Sequence, residues 1–387
     1  MMDEADEEGA SVTTYVVVGA GLAGAATAWE LARRGHGVTL VERTTPANEH
    51  GSSHGSARIF RYGYPDPFWT GLVVQARDAW DELEALAGQR LITPTGSLDH
   101  GADRRPDHLA TVMAGAGVEH ELMSAAAAAE RWPGIAFDSD VLWHPGAGVI
   151  DAESSVLAMA RLAAEAGATV LTDWPVAQVV PDGRGLRVVS EAGAELRADH
   201  VVVSAGGWLP DLLPTLPEAL VRRVPRLEVR KEQAYHFPYV DDASGLPVDG
   251  WPTFIHKIPE IQVYGLPGGR DAGFRGQKVA EYNGGPAIPS AAHSDGRIDP
   301  ANRERVVAYV RQHLPGLVPE PYAETTCLFT NTPDENFVID GVAGITILSP
   351  CSGHGAKFAP LLGRLAADAA TGAAAVPPAF RLAGVAA

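Results

Sequence analysis

The stretch "YVVVGAGLAGAATAWELARRGHGVTLVE", residues 15–42, decides the fold. Val16–Val18 is a short continuous apolar run, as expected of a buried parallel strand. Gly19, Gly21 and Gly24 then form G-x-G-x-x-G. Ala25–Arg34 is an alanine-rich helical pattern closed by Gly35, and Val38–Val41 is a second strand ending at Glu42. Each glycine has a task. The first permits the tight turn, the second admits a pyrophosphate to the backbone, and the third brings helix and strand together. The helix N-terminus offers free N–H groups and a dipole that favours an anion. Glu42 stands 23 residues after Gly19, where a carboxylate accepts ribose hydroxyls. Together these features predict a dinucleotide site; alone they do not separate NAD from FAD.

Composition bounds the rest. The chain has 387 residues, enough for two or three structural units, and a formal net charge of −18. Nucleic acid and anionic membranes repel so acidic a surface, so neither is expected as a partner. No apolar run approaches the roughly 20 residues of a spanning helix. Residues 1–11 read as a disordered acidic tail, unlike a basic signal peptide. Only Cys327 and Cys351 occur, which fits a reduced, cytoplasmic location and no disulfide framework. No spacing suggests a metal site.

Two later segments return to the opening pattern. "ADHVVVSAGGWLPDLLP" (198–214) is a strand followed by a glycine-containing turn. "GITILSPCSGHGAKFAPLLGRLAADAATG" (344–372) is strand, glycine-rich loop and helix. A cofactor domain assembled from separated pieces is the layout of glutathione-reductase-like FAD proteins. Four blocks sharpen the reading: "GSSHGSARIFRYGY" (51–64), "VYGLPGGRDAGFRGQK" (263–278), "CLFTNTPDENFVID" (327–340) and "SGHGAKF" (352–358). With them the sequence resembles the monomeric sarcosine oxidase and N-methyltryptophan oxidase family. This is the amine-oxidising branch of the D-amino-acid oxidase superfamily. The resemblance runs from about residue 14 to residue 375.

The resemblance implies FAD joined covalently through Cys327, with Arg58 over the flavin. It implies Arg61 and Lys357 on the substrate carboxylate, Lys278 beside flavin N5 as the oxygen site, and Tyr264 lining the substrate cavity. Its cofactor contacts fall on Gly19, Gly21, Gly24, Glu42, Arg43, Ser52, Ser53, Arg58, Val176, Cys327, Gly353, His354, Gly355 and Lys357. His54 either takes part in catalysis or only packs. Cys351 and seven tryptophans (Trp69, Trp80, Trp132, Trp143, Trp174, Trp208, Trp251) read as structural. The cations of residues 51–64 thus have a reason to exist in an acidic protein. The chemistry builds negative charge on the reduced flavin and on oxygen, and the substrate brings a carboxylate.

One position departs from the family. Tyr282 stands four residues after Lys278, where sarcosine oxidase has a substrate-facing histidine. Residues 231–262 match no substrate pattern. Both features point away from sarcosine, towards a larger N-methyl or cyclic amino acid, such as one made in a biosynthetic pathway. The expected architecture is α/β. A Rossmann FAD domain (12–75, 145–215, 325–375) is joined to a mixed, mainly antiparallel sheet domain for substrate (76–144, 216–324). The expected reaction is hydride transfer from a C–H next to nitrogen to FAD, with O₂ reduced to H₂O₂ by a monomeric enzyme. An amine dehydrogenase feeding a partner and a non-catalytic flavoprotein are the alternatives.

Overall fold

A computed structural model describes residues 13–183, 185–240, 250–273 and 275–382. The expected acidic tail lies outside them. The opening motif forms strand Thr14–Val18, helix Leu22–Arg33 and strand Gly37–Val41. The helix begins three residues before the sequence pattern suggests, and Gly35 follows its cap at φ +87°. Val16–Val18 pair in parallel register with Val201–Val203 on one side and Thr39–Val41 on the other. The sheet grows outward to Ile345–Ser349 and Thr169–Leu171, with Val338–Val342 added antiparallel at one edge.

Helix Leu22–Arg33 packs between helices Ala152–Glu165 and Ala359–Thr371. Its alanines allow close approach. A Cβ on Gly363 of the last helix would stand 2.6 Å from the backbone of Ala26. A three-stranded antiparallel meander (Val176–Asp182, Gly185–Ser190, Glu195–Ala198) lies in the connection leading to strand His200–Val203.

The second large element is a nine-stranded, mixed sheet. Strand Thr253–Ile258 runs parallel to Ser97–His100, and the remaining pairs are antiparallel. Side chains alternate across a sheet, so register sorts this one into two faces. Leu98, Tyr235, Phe237, Phe254, Val263 and Val279 pack with Val306, Tyr309 and Val310 of helix Pro300–His313. The opposite face takes the alternate residues. Lys278 is opposite Leu266 and His236, and Tyr264 is opposite Ala280 and Ile255. Lys257 is opposite Gln262, Cys327 opposite Glu232, and Asp99 opposite Ile255. One apolar face therefore buries the sheet, while the other is left to carry chemistry.

Asp99 ties this polar face to the loop bearing Arg61. It is fully buried, bonded to Arg104 Nε at 2.5 Å and 3.1 Å from His144 Nε2. Arg104 in turn donates to the Gly63 carbonyl at 2.6 Å, and Arg61 donates to the same oxygen. The Arg104 guanidinium and the His144 contact hold the Asp99 carboxyl below the usual carboxylate range, although burial opposes them. Asp99→Ala strands a buried guanidinium, so urea unfolding should show a loss of about 3–5 kcal/mol. Folding lowers the Asp99 pKa, so this contribution is complete above the ordinary carboxylate pKa and fades as pH falls towards the folded value. A loss under about 1 kcal/mol would mean that Arg104 finds another anion or water.

Candidate FAD and substrate site

A cavity of about 530 Å³ opens at the C-terminal edge of the parallel sheet. Gly19, Gly21, Glu42, Arg43, Ser52, Ser53, Arg58, Val176, Cys327, Gly353 and Gly355 all line it. These positions come from widely separated parts of the chain, and the fold brings them to one wall. Gly19 sits at φ +95°, and a Cβ there would meet the Ser204 carbonyl at 2.4 Å. Gly24 lies beneath the wall, where a Cβ would stand 1.8 Å from the Gly19 oxygen. No side chain of Gly21 caps the following helix, but Ser53 Oγ accepts from Leu22 N at 3.0 Å. Glu42 is buried. Its Oε2 accepts from Ala20 N at 2.7 Å and its Oε1 from Asn48 Nδ2 at 3.2 Å. The carboxylate therefore first ties the glycine turn to the second strand, and keeps lone pairs for a ribose.

Two tryptophans correct the sequence reading. Trp80, Trp132 and Trp251 are buried as expected, but Trp174 and Trp208 line the cavity. Arg43 stacks over Trp208 at 4.8 Å, and Trp208 Nε1 is buried without a hydrogen-bond partner. Cys351, also read as structural, stands in the same wall. A glycine cradle at a helix N-terminus and an orphaned indole N–H suit a flat, anionic dinucleotide. FAD fits these residues.

The polar face of the large sheet adjoins this wall at Cys327. Lys278 is 6% exposed. Burial, and then Arg58, lower its pKa to about 8, while Cys327 and Asp271 act the other way. Arg58 donates to the carbonyls of Ala57 and Ser52 at 2.9 and 3.1 Å. Burial, Arg58 and Lys278 lower His54 to about 4, so it is neutral at pH 7, and its Nε2 is buried without a partner. Burial raises the Cys327 thiol, against the pull of Arg58 and Lys278. Half-buried Tyr264 lies on this same face, and burial raises its phenol well above the ordinary value. Glu232, which sequence reasoning missed, is buried opposite Cys327 with one carboxylate oxygen unpartnered.

A second group of cations forms around Tyr64. The Arg61 guanidinium lies 4.6 Å from the Tyr64 ring centroid. Lys357 Nζ donates to Tyr64 Oη at 3.1 Å and to the His354 carbonyl at 2.8 Å. His354 Nδ1 completes the cluster at 3.0 Å from Tyr64 Oη. Lys357 is 4% exposed and sits in the tight turn Ala356–Phe358, just before the helix rather than in its first turn. Burial, then Arg61 and Arg104, push its pKa well below the usual lysine value. Tyr282 donates to Glu335 Oε1 at 3.1 Å and packs against Gly353, so it borders both groups.

The fold also gathers His100, Asp138 and His256, invisible as a cluster in the sequence. Their imidazoles stack at 4.0 Å and 13°. Lone pairs lying in two parallel planes do not converge on one ion.

Comparison with known proteins agrees with this geometry. The chain is 31% identical over 367 residues to N-methyl-L-tryptophan oxidase of Yersinia pestis (strain Pestoides F), covering 91% of this chain and 93% of that protein. The structure of NikD, described as an unusual amino acid oxidase essential for nikkomycin biosynthesis, superposes with a TM-score of 0.82 at 26% identity. That match covers 96% of this chain and 98% of NikD. L-Proline dehydrogenase from P. horikoshii shares the fold, with a TM-score of 0.78 at 21% identity over 95% of this chain and 96% of that one. The profile of the FAD dependent oxidoreductases, DAO, matches residues 14–369. A dinucleotide cradle of this form, read with that match, makes the chain a member of the DAO family of FAD-dependent oxidoreductases.

Proposed function

We propose that the protein is an oxidase of a secondary amino acid, N-methyl or cyclic, with O₂ as acceptor and H₂O₂ as product. One observation carries this reading: Lys278 beside Arg58, and Lys357 beside Arg61, are two lysines buried without a carboxylate partner among the described residues, next to the cavity wall formed by Arg58, Cys327, Gly353 and Gly355. The relatives named for amino acid oxidation support it. The domain assignment follows the same logic, with FAD held by 12–75, 145–215 and 325–375, and substrate by 76–144 and 216–324. We also assign the enzyme to the cytoplasm on the strength of its two unpaired cysteines, and as a monomer by its resemblance to the monomeric sarcosine oxidase family. Among the described residues, no helix is long and apolar enough to cross a membrane.

FAD, when bound, supplies the hydride acceptor and passes the electrons on to O₂. The protein's residues do the rest. Arg61 and Lys357 take the substrate carboxylate. Burial and the neighbouring guanidinia disfavour the charged form of Lys357, and a bound carboxylate would favour it. The same positive field favours loss of the ammonium proton, leaving the neutral amine that hydride departure requires. Tyr264 and Tyr282 wall the substrate, and Tyr282 offers a hydroxyl where the resembled family has an imidazole. Arg58 and Lys278 hold positive charge where negative charge develops. His54, neutral, serves packing and hydrogen bonding rather than charge. Cys327 would be the residue that holds the flavin covalently, as a thioether, a link whose formation removes two hydrogens and passes two electrons to the flavin and on to O₂. A biosynthetic substrate remains part of this proposal because Tyr282 displaces the sarcosine pattern.

The covalent link has a direct check. Acid precipitation of the purified protein should leave yellow colour in the pellet, and Cys327→Ser should release it to the supernatant. Colour released from wild type that was saturated with FAD would refute the link.

The oxygen site has another. Lys278→Met should slow reoxidation of the reduced enzyme by O₂ about 10²- to 10³-fold, with anaerobic reduction much less affected. Lys278 carries its proton below about pH 8 and loses it above. Wild-type reoxidation should therefore slow as pH rises through that region, and the variant should lack this limb. A variant rate within a few-fold of wild type would mean that Lys278 is not the oxygen site, with Arg58 and Lys357 the next candidates. Slow reoxidation of the wild type itself by O₂ would favour an amine dehydrogenase that passes electrons to a partner.

A further inference from the structure

Lys257 has no part in the mechanism above, yet it belongs to the same face as Tyr264 and Lys278 by register. Its ammonium lies 5.6 Å from the centroid of the Tyr282 ring. Tyr282 leads onward to the anion receptor: it contacts Gly353 and the Ser352 carbonyl, and the same loop holds Lys357 through the His354 carbonyl. The groups that act on Lys257 are Arg104 and Arg61, opposed by Glu335 and Asp99. Two of these are already engaged. Asp99 is committed to Arg104 and His144, and Glu335 accepts from Tyr282 at the exposed rim. No acceptor among the described residues holds Lys257 Nζ.

Arg61, Lys357 and Lys257 thus face one region with little local anion to balance them. A single carboxylate offers about four acceptor positions. The fork of Arg61 and the remaining donor of Lys357 use most of them. The residual charge, half-buried on the Tyr282 side, calls for a second anion. Burial and the neighbouring guanidinia lower the Lys257 pKa to about 8, the mark of a cation without a close counter-charge.

We propose that Lys257 forms a second anion subsite, so that the preferred substrate is an amino acid carrying another acid group, a dicarboxylate. This rests on the amino acid oxidase reading and narrows its substrate class. The residue lies within 231–262, the stretch whose sequence matched no substrate pattern.

Titration calorimetry on the FAD-loaded enzyme tests it without turnover. Succinate and glutarate are compared with butyrate and valerate, acids of equal length with one charge. Wild type should bind each dianion about 10- to 100-fold more tightly than its monoanion. Lys257→Met should bring that ratio close to one, and Lys257→Arg should keep most of it. Equal affinities in wild type, no measurable binding of either dianion, or a preference that survives in Lys257→Met would each overturn the subsite. Anaerobic mixing with N-methyl-L-aspartate and N-methyl-L-alanine separates the two claims. If neither bleaches the flavin while the dianion preference holds and depends on Lys257, the subsite stands and the oxidase reading falls. If N-methyl-L-alanine bleaches it and no dianion preference exists, the reverse is true.

Discussion

Positive charge taken out of water must meet negative charge, and this protein arranges for much of its own to wait for a ligand. Lys278 and Lys357 are each less than a tenth exposed, and neither has a carboxylate within salt-bridge distance among the described residues. Elsewhere cations are paired conventionally, as in Arg104 with Asp99 or Lys231 with Asp295. The difference is one of position. Lys278 lies beside Arg58 and Cys327, and Lys357 directly follows Gly355 and Ala356, all four in the cavity wall; in the proposed function the flavin and a substrate carboxylate supply the missing anions. Depressed lysine pKa values record the cost of that arrangement.

The scaffold makes this possible by dividing its sheets. The parallel sheet gives up its C-terminal edge to a glycine turn, whose close contacts exclude any side chain at Gly19 and Gly24. The nine-stranded sheet spends one face on the helix Pro300–His313 and keeps the other for Cys327, Lys278, Tyr264 and Lys257. Strand register, rather than sequence proximity, brings residues 257, 264, 278 and 327 to one surface. Asp99 then anchors the Arg61 loop from beneath through Arg104.

The glycine motif and its two strands were legible in the sequence because local periodicity and glycine spacing encode them. Many chain positions of the cavity wall were legible through short blocks at 51–64, 327–340 and 352–358; the exceptions are Trp174, Trp208 and Cys351, which line it unexpectedly, and His354 and Lys357, which lie outside its lining. Trp174 and Trp208 looked like core because a large apolar side chain carries no sign of whether it meets protein or cofactor. Asp99, Glu232 and Lys257 were hidden for a different reason. Each has an ordinary sequence neighbourhood, and its environment comes from a partner strand across the sheet.

The central claim is that the protein's waiting cations select an amino acid by its carboxylate and present its C–N bond to FAD. Anaerobic mixing of the FAD-loaded enzyme with matched pairs tests it most directly: N-methyl amino acids and their decarboxylated amines, followed by flavin absorbance. The account predicts that the amino acids bleach the flavin and that the decarboxylated amines do so far more slowly, with colour returning on admission of air. Equal bleaching by both members of a pair would contradict it, as would no bleaching by any carboxylate-bearing amine.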